Sequence, residues 1–131
     1  MKVTPIYTVL LSQLKALGYP VFPRPYSESM ELDSTLGVTL HLYLEDIDTE
    51  MEGEHPKQRQ ESPAFKCDVQ STDIDNDLTT VLGIVDIVAD IFFNVKSGNA
   101  TIETYKVSRG ETTEKILYTI DVTYTYWNQY E

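Results

Sequence analysis

The sequence predicts an α+β fold: a mostly antiparallel β-sheet packed against two helices, in the order α-β-β-α-β-β, with a long acidic loop in the first hairpin. Two patterns carry this reading. Apolar residues recur at three- and four-residue spacing near the N-terminus, and elsewhere they alternate with polar residues at a period of two; the long apolar run from 78 to 92 is favoured as a helix by its length, although its β-branched residues make a strand conceivable for part of it. Size is the third observation, because 131 residues make one domain, 1–131, able to bury roughly two-thirds of its unfolded surface around a single core.

From Thr4 to Leu17, residues Ile6, Val9, Leu10, Leu14 and Leu17 gather on one helical face, with Thr4 placed to cap, Pro5 suited to the first turn and Gly18 able to end the helix. Pro20, Pro23 and Pro25 then impose an extended segment, read as an edge strand or a surface connector. Val38, Leu40, Leu42 and Leu44 alternate with Thr39, His41, Tyr43 and Glu45, which predicts a strand with His41 pointing outward. Phe65, Cys67 and Val69 repeat the pattern and complete a hairpin. Between them, residues 45–62 (EDIDTEMEGEHPKQRQES) crowd Glu45, Asp46, Asp48, Glu50, Glu52 and Glu54 together, and a mobile, mutually repelling loop is expected there.

A second helix should begin near Asp73–Asp77 and run to Phe93, apolar on more than one face. A closing hairpin follows, with one strand over Thr101–Ser108, a turn at Arg109 and Gly110, and a second strand over Lys115–Trp127. On that last strand Ile116, Tyr118, Ile120, Val122, Tyr124 and Tyr126 share one face, and Thr119, Asp121, Thr123 and Thr125 share the other.

Ten Lys and Arg against twenty-one Asp and Glu give a formal charge of -11. That imbalance excludes stable nucleic-acid binding, which depends on Lys and Arg displacing counterions from phosphate. Cys67 is the only cysteine, so no intramolecular disulfide forms, and a buried thiol in a chain folded in the cytosol is the expectation. Neither a signal peptide nor a membrane-spanning stretch is evident, and no membrane role is expected.

Candidate chemistry weighs against an enzyme. The acidic run could offer carboxylates to a hard cation, but Gly53 is misplaced for an EF-hand loop and its closing bidentate Glu is missing. Asp86 and Asp90 lie one helical turn apart and read as a polar stripe rather than an acid–base pair. His41 and His55 have no rigid partners in the sequence, Cys67 has no cationic neighbours to activate it, and no P-loop, G-x-G-x-x-G, G-x-S-x-G or H-E-x-x-H string occurs. Catalytic, metal and cofactor sites are expected to be absent. Tyr118, Tyr124, Tyr126, Trp127 and Tyr130 suit a core face and a protein contact better than base stacking.

The element order, with FKCDVQSTDIDNDLTTVLGIVDIVADIFF feeding a helix and KILYTIDVTYTYW closing the chain, resembles the tail terminator and tail-completion (neck) proteins of long-tailed bacteriophages. The resemblance is architectural, is strongest over residues 65–127 and carries no diagnostic motif. It implies a virion protein assembled in the host cytoplasm into a homo-oligomeric ring, typically six-fold, that caps the tail tube and joins it to the head–tail connector. Ile84, Ile87 and Ile91 on the second helix and Tyr124, Tyr126 and Trp127 on the last strand are the expected halves of a heterologous subunit contact. Glu45, Asp46, Asp48, Glu50, Glu52 and Glu54 would line a lumen through which DNA passes without being gripped. Alternatives are another neck or connector-completion protein, or a monomeric acidic binding module that acts as an adaptor or as a nucleic-acid-mimicking inhibitor.

Overall fold

The structure is a computed structural model that describes residues 3–27, 37–51, 58–71, 78–96, 99–110 and 116–129. Helix α1 (Val3–Lys15) is followed by strand β1 (Val21–Phe22), the hairpin β2 (Val38–Met51) and β3 (Gln58–Ser71), helix α2 (Leu78–Phe93) and the hairpin β4 (Thr101–Arg109) and β5 (Ile116–Gln129). The five strands form one mixed sheet in the order β1-β2-β3-β5-β4. All pairings are antiparallel except that of β1, which runs parallel to β2 through Val21–Leu40 and Phe22–His41. The proline-rich segment therefore supplies a fifth, two-residue edge strand. Among the described residues, no helix is long and apolar enough to cross a membrane.

Helix α1 buries Val3, Ile6, Leu10 and Leu14, the face that the spacing predicts. It starts at Val3, one residue ahead of the expected cap, so Thr4 and Pro5 sit inside the first turn, where a missing N–H is harmless. It ends through the Gly18 N–H donating to the Lys15 carbonyl, and Gly18 takes φ +91°, which a side chain would strain. Helix α2 buries Val81, Ile84, Val85, Val88, Ala89 and Phe92. The expected helix start at 73–77 lies outside the described residues.

The largest departure from expectation is the stretch 45–62. Its described part is not a loop but the outer half of a hairpin, in which Asp46, Asp48 and Glu50 occupy β2 opposite Ala64, Ser62 and Gln60. The physical reason is that the acids fall on alternate residues, so a two-sided ribbon places Asp46 and Asp48 toward solvent while Ile47, Thr49, Glu61 and Pro63 take the other face. A bulge between Leu44 and Asp46 leaves Glu45 without a strand partner, and its carboxylate pairs with Lys66 at 3.0 Å instead. Glu52 and Glu54 lie outside the described residues.

Both helices pack on one face of the sheet. Leu40, Leu42, Phe65, Cys67, Val69, Ile120, Val122, Tyr124 and Tyr126 line that face and form one apolar cluster with them. Phe65 is its hub, stacked on Tyr7 of α1 with centroids 6.5 Å apart and meeting Tyr124 edge-on at 6.0 Å. The Tyr124 hydroxyl donates to the Phe92 carbonyl at 2.7 Å, fixing the last turn of α2 to β5 and satisfying a carbonyl near the helix end. Burial raises the pKa of this phenol.

Two outcomes follow. Tyr124→Phe should destabilise the fold by about 1–3 kcal/mol, the cost of a buried carbonyl left without a donor, as read by urea unfolding. Cys67 is buried, and burial pushes its thiol pKa up to about 12, so a thiol reagent should label it only in denaturant.

Candidate functional site

The face of the sheet away from the helices divides into a covered and an open part. Over the first half of β2 it is covered by the chain from Tyr19 to Tyr26, which corrects the expectation that His41 points to solvent. His41 is fully buried, stacked on Phe22 with centroids 5.1 Å apart and edge-on to Tyr26 at 5.4 Å. The second proline-bounded aromatic, Tyr26, is held by its N–H donating to Asp68 Oδ2 at 2.9 Å, while the Thr119 hydroxyl donates to Oδ1 at 2.7 Å. The alternation at 38–44 reveals one apolar face but not a polar face that is also buried.

Beneath this cover the Thr39 hydroxyl donates to Gln70 Oε1 at 2.9 Å, and the same oxygen lies within hydrogen-bond distance of His41 Nε2, at 2.8 Å. The His41 pKa is lowered to about 4, chiefly by burial and further by the Arg24 charge, with the Arg24 backbone acting weakly in the opposite sense. The cluster ties the sheet to its cover.

The open part lies toward the hairpin end. Asp48, Gln60, Ser62, Glu103, Thr104 and Thr123, drawn from β2, β3, β4 and β5, line a shallow polar depression of about 270 Å³. Gln60 Nε2 donates to Thr125 Oγ1 at 2.9 Å, and the Ser62 hydroxyl lies 3.3 Å from the same oxygen. Beside it Lys66 bridges Glu45 at 3.0 Å and Asp121 at 3.6 Å, and its ammonium pKa is raised mainly by the Glu45 hydrogen bond. Among the described residues no three His, Cys, Asp or Glu come together as metal ligands.

The expected subunit contact is dispersed by the structure. Ile84, Tyr124 and Tyr126 belong to the core, the tyrosines only 2% and 1% exposed, so none of them offers surface to a neighbour. Their burial follows from facing the helix layer, where apolar area is removed from water within one chain. Ile87 is 50% exposed, Ile91 is half-buried, and Trp127 is half-buried opposite Gln60 on the far face. A different apolar strip lies beside β4: Leu82 and Phe93 on α2 with Tyr105 and Val107 on β4, all between 37% and 50% exposed. The Phe93 and Tyr105 rings meet at 4.6 Å, and Asp86 and Asp90 lie near enough to help raise the Tyr105 pKa after burial. The sequence shows the surplus apolar content of α2 but not which part of it β4 leaves uncovered. The chain matches no family model and no curated protein.

His41 makes stability depend on pH. Its folded pKa lies below the unfolded value of about 6.5, so the unfolded chain binds the extra proton first and stability falls as pH drops from about 6.5 toward 4. Between pH 7 and pH 5 the loss assignable to this group is about 2 kcal/mol. Urea titrations at both pH values should show His41→Leu losing that much less stability than the parent chain.

Proposed function

We propose that this chain is a ring-forming structural subunit of a long-tailed bacteriophage virion, a tail terminator that caps the tail tube and joins it to the head–tail connector. The observation that carries this reading is the exposed strip of Leu82, Phe93, Tyr105 and Val107 beside an edge strand. Four large apolar side chains left open next to unpaired strand backbone mark a surface built for another protein.

The two faces of the sheet fit the same reading. With the helix layer outward, the open polar face with Asp46, Asp48, Glu103 and Asp121 turns toward the centre of a ring. Charges there act over roughly 8–10 Å at physiological salt, so DNA passing close to the wall is repelled rather than held. The lumen-facing role expected of a loop thus transfers to a strand surface. Another neck protein would use the same assembly chemistry, and the tail tube, the connector and further copies of the chain are the proposed partners.

Light scattering at increasing concentration should give one species of about six times the 15.0 kDa chain, and negative-stain images should show closed rings with a central hole. A strict monomer under these conditions would replace this reading with the acidic binding module. Replacing Glu103 by Gln together with Asp121 by Asn should leave the rings intact and strengthen DNA retention at low salt, read by a filter-binding assay. Unchanged retention removes the lumen role from these acids.

A further inference from the structure

We infer that copies of this chain join head to tail through their sheet edges, with β4 of one copy adding antiparallel to the outer half of β2 in the next; this rests on the ring reading above.

The first observation is that both edges are open. β1 covers β2 only at Leu40 and His41, and among the described residues no strand pairs with β2 from Leu42 to Met51 on that side, or with the outer side of β4. Each edge therefore presents backbone N–H and C=O groups able to extend a ladder. Strand direction is the second. The long strands β2, β3, β5 and β4 alternate strictly in direction, since each adjacent pair is antiparallel. Rotation about an axis roughly along the strands brings β4 beside β2 of the next copy with that alternation unbroken, and repeating the rotation closes a ring.

Charge selects this pairing over a two-fold one. From Tyr43 to Met51 the β2 edge holds Glu45, Asp46, Asp48 and Glu50 and no base, so two such edges repel. β4 holds Lys106 and Arg109 against Glu103, a net positive strand in a chain of formal charge -11. Unlike edges attract and like β2 edges do not. Apolar surface is the fourth observation. Leu44, 37% exposed at the β2 edge, sits opposite Phe65 and so lies on the helix side of the sheet. Tyr105 and Val107, opposite Val122 and Ile120, lie on that same side at the other edge, beside Leu82 and Phe93. A single head-to-tail contact covers both patches, whereas a β4–β4 contact leaves Leu44 exposed.

Hydrogen exchange on the full chain separates the possibilities. In the assembled protein, backbone amides within 43–51 and 101–109 should exchange at least about tenfold more slowly than in the variant Lys106→Glu with Arg109→Glu, which should be monomeric with an unchanged circular dichroism spectrum. Adding Asp46→Lys and Asp48→Lys to that variant restores opposite charges and should recover assembly. An oligomer that survives the first variant, with neither edge protected, overturns the edge contact and leaves the ring reading standing. A parent chain that stays monomeric at every concentration overturns both.

Discussion

Pairing of β3 with a neighbour on each side along nearly its whole length is the constraint from which the rest of the molecule follows. It pairs with β2 from Arg59 to Ser71 on one side and with β5 from Gln58 to Ser71 on the other, with a break toward β5 at Ser62 and Pro63, whose ring has no N–H to donate. A strand so fixed cannot slip by one residue without turning Phe65, Cys67 and Val69 out of the core and Asp68 and Gln70 into it. Its register thereby sets which residues of β2 and β5 face the helices and which face the cover. Helix α1 then stacks Tyr7 on Phe65, Phe65 meets Tyr124, and the hydroxyl of Tyr124 closes the end of α2.

The far face of the sheet shows how one fold uses polar groups in two ways. Where the chain from Tyr19 to Tyr26 crosses it, Thr39, His41, Asp68 and Gln70 are buried, and hydrogen bonds and aromatic stacking offset part of their desolvation. Where no described residue crosses it, Asp46 and Asp48 are exposed. Part of the acidity of the chain is therefore carried on one face of a strand rather than by a loop.

Alternation explains both what could be read in advance and what could not. The apolar face of β2, the inward turn of Ile120 and Val122 on β5, the burial of Cys67 and the Gly18 helix stop follow from local pattern, and the structure places each as the pattern indicates. Asp46, Ile47, Asp48, Thr49, Glu50 and Met51 also alternate, and that signal for a strand was hidden by the weight of the charges. The exposed strip of Leu82, Phe93, Tyr105 and Val107 had no such signal, because two of its residues come from a helix and two from a strand joined only in space.

Residue order by itself determined the α+β class, the two helices, the two antiparallel strand pairs and the acidity, because these depend on periodicity, turn chemistry and composition within short windows. Only the tertiary structure decided that the proline-rich segment folds back over His41 as a parallel strand, that Tyr124 and Tyr126 are core, and that, among the described residues, the outer half of β2 and the outer side of β4 have no strand partner. Those outcomes depend on which surfaces meet at long range, and burial of a side chain is a property of the neighbours brought to it rather than of its place in the chain.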